Sequence, residues 1–179
     1  MAEKMRKVIL CAKVETTPGT ENAPAAADAI RLAGAPELSP EFEVIERTIF
    51  NGGSVDELPI IGKKKLSLGV KARLAGSGSA TTAPKWMRLL QAAGAKVAVG
   101  ASDVDLTLPD LDEGKKLTVY LYRAGVLYKI IGAAFQDAAI TYDGGWVLTG
   151  TLVGKYGGAT ASAMLASPVY DTGKIYSGI

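Results

Sequence analysis

The side chains able to do chemistry in this sequence are few, and the missing ones narrow the options most. Histidine is absent, which removes Ser-His-Asp triads, Cys-His dyads and imidazole metal ligands together. Cys11 is the single cysteine, so neither an intrachain disulfide nor a cysteine-rich zinc site can form. Within an apolar run such a residue reads as a small core hydrophobe. Carboxylates cluster in "DVDL" (103–106) and "DLDEG" (110–114), but a calcium loop needs more oxygen ligands in order. Nothing marks either pair as the acid and base of a glycosidase. The segment "GSGSA" (76–80) looks like a fragment of a phosphate loop, yet it lacks the Lys-Ser/Thr that completes one and reads as a hinge. The tyrosines, mostly in the C-terminal half, could stack on bases or sugars, although in alternating strands they more often cover a sheet. No mechanism emerges, so the expectation is a protein that is not an enzyme and holds no cofactor or metal.

Charge with strand periodicity is the remaining signal. Leu66, Leu68, Val70, Ala72 and Leu74 alternate with Lys65, Ser67, Gly69, Lys71 and Arg73, a strict period of two. This predicts a strand with one cationic polar face, which is open to solvent, lines a wet channel or meets an acidic partner strand. Glu43 and Glu46, on the preceding strand, are the candidates to offset Lys65, Lys71 and Arg73 by cross-strand pairing. The formal net charge of +2, from 20 basic and 18 acidic residues, gives no general electrostatic reason to bind nucleic acid or anionic lipid.

The elements that must position these residues are mostly strands. At 179 residues a single domain spanning 1–179 is expected, because domains most often run roughly 100–200 residues. The apolar run near the N-terminus is broken by Lys13 and too short for a signal peptide, and no stretch is long and apolar enough to span a membrane. "KVILCAKVE" (7–15) predicts a strand and "TTPGTENAPAAADA" a long loop. "AIRLAG" (29–34) and "EFEVIERTIF" (41–50) predict further strands, the second mixed on both faces. "NGGSVDELPIIGKKK" (51–65) is too long for a tight turn. It either projects, exposing Leu58, Ile60 and Ile61 beside Asp56 and Glu57, or folds back on its own sheet.

A short helix is expected over about 83–93, capped by Thr81 or Thr82, with Pro84 in its first turn and Gly94 at its end. Its apolar stripe is Trp86, Leu89, Leu90 and Ala93. "KVAVG" and "DVDLTLPDL" predict short strands. "KLTVYLY", "VLYKIIG", "AFQDAAITY" and "WVLTGTLVG" then read as four strands of an antiparallel meander, separated by "RAG", Gly132 and "DGG". The tail, 155–179, reads as an extended arm able to lie on a neighbouring subunit.

Three blocks carry a family resemblance: "KVETTPGT", "ARLAGSGSATTAPKWMRLLQAAG" and "GAAFQDAAITYDGGWVLTGTLVG". Their order over nearly the whole chain resembles the tail tube (major tail) proteins of long-tailed bacteriophages, particularly those with flexible, non-contractile tails. The resemblance implies a mainly β protein, a β-sandwich or barrel with one flanking helix, whose inner strands form a β-barrel in a hexameric ring. Stacked rings would form the conduit for DNA delivery, placing the chain in the virion, and in the host cytoplasm during assembly. The projecting loop, 51–63, with Asn51, Asp56, Glu57, Leu58, Ile60 and Ile61, would contact the adjacent ring, and the N-terminal segment 1–7 and the arm 155–179 would add contacts. Implied partners are further copies of itself, tail terminator, tape measure and distal tail proteins, and passing DNA that is not bound specifically. A bore lined by Lys65, Lys71 and Arg73 would hold DNA unless carboxylates offset them, so that cationic face is expected to point outward or to be locally paired. The alternatives are a terminator or secretion-tube ring protein of the same fold, and a carbohydrate-binding β-sandwich module.

Overall fold

The computed structural model describes residues 7–46, 59–107 and 114–174. β1 (Val8–Val14), β2 (Ala29–Ile30), β3 (Glu37–Ile45), β4 (Ile60–Arg73), β7 (Leu117–Arg123), β8 (Val126–Tyr142) and β9 (Trp146–Ala161) form one antiparallel sheet in the order β2-β1-β7-β8-β9-β4-β3. β5 (Lys96–Val99) and β6 (Val104–Thr107) pair as a separate ribbon, and α1 (Met87–Ala92) lies between β4 and β5 in the chain. The protein is thus mainly β, with one short α-helix among the described residues, as expected. The meander β7-β8-β9 is present, with one change. The two strands expected on either side of Gly132 are a single long β8, because Gly132 takes a left-handed φ of +66° and donates its N–H to the Glu15 carboxylate instead of ending the strand. Register shifts after Lys129, Ile131 and Gln136 let this strand bend, as bulges do.

One short segment brings the two sides of the sheet together. Ile30 and Ala29 pair with Leu10 and Cys11 of β1. Immediately downstream, Ala33 N–H donates to Lys71 O at 2.7 Å and Arg73 N–H to Arg31 O at 2.9 Å, with Leu32 opposite Ala72 of β4. Residues 29–33 therefore touch both β1 and β4, and the sheet curls around one core. That core contains Leu10, Leu66, Leu68, Val70, Ala72, Leu121, Ile130, Phe135, Leu148 and Leu152. Gly150 admits Phe135 to it, since a Cβ at that position would overlap the Phe135 ring. Pro40 is tolerated in β3 because that strand is at the edge.

The helix is shorter than its pattern predicts. Pro84 to Trp86 form a preceding turn, no side-chain cap is made and neither Thr81 nor Thr82 serves as one. Gly94, at φ +105°, does end it. Trp86, Leu89 and Leu90 face the core, but the fourth position is Ala92, not Ala93, because the helix stops at Ala92 and Ala93 turns outward. Trp86 Nε1 donates to Ala75 O, and Arg88 reaches both Ala12 O at 2.8 Å and Asp28 Oδ1 at 2.7 Å.

Behind β1 and β7 a smaller cluster of Ile9, Cys11, Ala29, Tyr120, Tyr122 and Leu127 is covered by Met164, Leu165 and Tyr170. The arm is therefore divided. Residues up to Ala161 extend β9, and residues 162–174 lie back on the same chain, held by Val169 N–H to Ala26 O, Gly173 N–H to Gly76 O and the Lys85–Asp171 contact. The long loop after β1 is pinned similarly: the buried Glu15 accepts from Gly19, Thr118 and Gly132. Glu21 accepts from Tyr120 and Lys129, bonds that hold its carboxyl below the usual range.

Leu68→Ala should lower stability by about 2–5 kcal/mol, as large-to-small changes in a closed core do, measurable by urea unfolding. Burial pushes the Asp28 carboxyl up, but the Ala25 N–H and the bond and charge of Arg88 outweigh it and leave it below the usual range. A depressed carboxyl stabilises the fold above its unfolded value of about 3.9 and loses that contribution as pH falls through the folded value. Asp28→Asn should therefore cost about 1–3 kcal/mol at neutral pH and flatten the acid limb of a stability–pH curve.

Candidate functional site

Among the described residues no group of three or more His, Cys, Asp or Glu is placed to hold a metal, and no helix is long and apolar enough to cross a membrane. Cys11 is buried, and burial, reinforced by Asp28, pushes its thiol up to about 11, so it is held as a neutral side chain. The "GSGSA" segment braces the arm through Gly76, whose N–H donates to Lys174 O and whose carbonyl accepts from Gly173. Tyr120 and Tyr122 cover the sheet.

The feature that stands out is the second face of β4. Leu66, Leu68, Val70 and Ala72 are buried, so Lys65, Ser67, Gly69, Lys71 and Arg73 share the opposite face. Register extends that face over four strands. Lys65 lies between Glu41 and Lys155, Ser67 between Ser39 and Val153, and Gly69 between Glu37 and Thr151. Lys71 pairs with Thr149 and Arg73 with Val147, and Gln136 and Thr141 of β8 continue the rows beyond Thr151 and Val147. A shallow groove of about 430 Å³ on this face is lined by Glu37, Lys71, Asp137, Thr149 and Thr151 among others. Carboxylates thus stand on the same polar face as the cations.

They are not the carboxylates expected from sequence. Glu43 lies at the register shift between Phe42 and Val44 and accepts the backbone N–H of Lys63 at 3.1 Å. Glu46 lies just beyond the last β3 pair, and neither is ion-paired with Lys65, Lys71 or Arg73 among the described residues. The residue opposite Lys65 is Glu41, while Arg73 donates to the carbonyls of Gly144 at 3.1 Å and Asp143 at 3.5 Å. The signal was available: Glu37, Ser39 and Glu41 keep a period of two, but Pro40 reads as a strand boundary and hid it.

Both borders of this polar face are free among the described residues. β3 has β4 on one side only. β7 pairs with β8 as far as Ala133, so Ala134 to Tyr142 have β9 on one side and no strand on the other. Of the expected contact loop, Asn51, Asp56, Glu57 and Leu58 lie outside the described residues. Ile60 and Ile61 belong to β4, opposite Ile45 and Val44, because the apolar alternation on both chains continues the hairpin beyond the expected loop boundary. Both remain exposed, together with Phe42, Val44 and Ile45. The residues that sequence reasoning missed are therefore Glu37, Glu41, Phe42 and Asp137, and, at the β8–β9 turn, Ile140, Tyr142 and Trp146, which are also exposed.

No known protein-family model matches the chain, and it has no significant match among curated proteins.

A double-mutant cycle on Glu41→Gln and Lys65→Met should give a coupling of less than about 1 kcal/mol that disappears in high salt, as for an exposed cross-strand pair. The same cycle with Glu43→Gln should give none.

Proposed function

We propose that this chain is a tail tube protein of a long-tailed bacteriophage, a structural subunit whose copies close into hexameric rings and stack into a conduit for DNA. The observation that carries this reading is the pair of free edges bordering one polar face. β3, β4, β9 and β8 are successive antiparallel neighbours, so the outer two, β3 and the second half of β8, run in opposite directions. A neighbour's β8 can then join β3 as the next antiparallel strand, and each further copy repeats the step. Such a head-to-tail contact is heterologous and makes a ring when the rotation closes. Closure also removes two unpaired edges that would otherwise invite disordered pairing.

The burial pattern supports a direction for the wall. The apolar face of these strands is covered by the core, which leaves the polar face for the bore. Its cations stand among Glu37, Glu41 and Asp137. That mixture answers the difficulty of a cationic lining: bound phosphate would release fewer counterions than on a purely basic wall, so DNA would slide with little affinity. In this reading terminator, tape measure and distal tail proteins are the further partners, and the protein resides in the virion after assembly in the host cytoplasm.

Negative-stain electron microscopy across a concentration series tests the proposal. Six-fold rings or hollow tubes are expected at high concentration, and a protein that stays monomeric throughout would overturn it.

A further inference from the structure

We propose that Asp143 and Gly144, in the turn between β8 and β9, form a self-modifying site at which the aspartate rearranges to isoaspartate with help from Arg73. The reaction needs one chain only and is independent of ring closure. Its electrophile is the Asp143 side-chain carboxyl, and its nucleophile is the backbone nitrogen of Gly144, one residue on. Attack closes a five-membered ring, a step that gains from holding both groups close together. Asp143 is the one aspartate in the sequence followed by glycine. Every other aspartate precedes a residue whose side chain hinders the approach that glycine leaves open.

The turn presents both groups to solvent. Asp143 and Gly144 are exposed, and the Asp143 side chain has no ion pair among the described residues. Tyr142 pairs with Trp146, which leaves a three-residue turn closed by the Asp143 N–H donating to Gly145 O at 2.9 Å. The Gly144 N–H has no backbone acceptor among the described residues. Its nitrogen can therefore react without first breaking a ladder bond.

Arg73 supplies a promoting charge. Its guanidinium donates to Gly144 O at 3.1 Å and to Asp143 O at 3.5 Å. Asp143 O and the Gly144 nitrogen belong to one peptide unit. As that nitrogen loses its proton, negative charge develops on the oxygen, and a cation already placed beside it stabilises the charge. The nitrogen bonds to Cγ of the protonated carboxyl, whose hydroxyl leaves as water with the amide proton. A second water then adds to the Asp143 backbone carbonyl carbon, and the bond from that carbon to the Gly144 nitrogen breaks. The oxyanion of this addition again forms on Asp143 O, so Arg73 favours the opening that yields isoaspartate over the return to aspartate. One water leaves and one enters, nothing is oxidised or reduced, and the mass is unchanged. The chain then runs through Cγ with an extra methylene between Tyr142 and Trp146, whose rings pack edge to face at 5.6 Å.

Storage in mildly acidic buffer, followed by enzymatic methylation of isoaspartate and peptide mapping, tests the site. Isoaspartate should accumulate in the tryptic peptide from Ile130 to Lys155 with no change of mass. Asn51 before Gly52 reacts by a related route, but it lies in another peptide and gains mass as ammonia leaves and water enters. Asp143→Glu, which would need a larger ring, and Gly144→Ala, whose Cβ meets no atom within 4 Å, should each lose the signal while circular dichroism shows them folded. Arg73→Met should slow the reaction, whereas removing a merely structural brace would loosen the turn and speed it. Absence of isoaspartate from this peptide would overturn the site. So would equal accumulation in Asp143→Glu, which retains Asp137 in the same peptide. An unchanged or faster rate in Arg73→Met would overturn the part given to Arg73.

Discussion

Successive side chains of a strand point to opposite faces, and through β4 this constraint governs the rest of the sheet. Burying Leu66, Leu68, Val70 and Ala72 inside the curl commits Lys65, Ser67, Gly69, Lys71 and Arg73 to the outside. A slip of one residue would bury two lysines and an arginine at a cost the fold could not offset. The core is thus also a register device: holding β4 holds β3 and β9 beside it, and with them the rows in which Glu41, Lys65 and Lys155 meet.

The curl needs a join, and residues 29–33 provide it by bonding first to β1 and then to β4. Trp86, Leu89 and Leu90 of the helix pack into the same core, and Arg88 and Asp28 tie the helix to β1 and the turn before β2. The first loop and the arm then cover the outer side of β1 and β7. These attachments are all made within the chain. The remaining β3-β4-β9-β8 surface is polar on its open face and, among the described residues, unpaired at both borders.

The two ends of that surface differ in kind, exposed aliphatic side chains such as Ile45 and Ile61 at one and Ile140, Tyr142 and Trp146 at the other. A surface that matched itself would favour pairing of two copies and then stop, whereas unlike ends permit continued addition. The same economy appears laterally, where four strands of alternating direction leave edges that are antiparallel to each other.

Periodicity was the part readable from the amino-acid order alone. The two faces of β4, the meander of β7 to β9, the helix with Trp86, Leu89 and Leu90 inward, and the absence of histidine chemistry all come from residue types and their spacing over a few positions. What the order could not contain is which distant strands lie side by side. Whether Glu41 or Glu43 faces Lys65 depends on the register in which β3 pairs with β4, and whether Gly132 ends a strand depends on a carboxylate 117 residues away. The free edge of β8 exists only because β7 stops pairing at Ala133. Such relations are decided by packing and by the pairing of backbone groups across the fold. Local sequence sets the alternation of a strand, and tertiary structure chooses its neighbours.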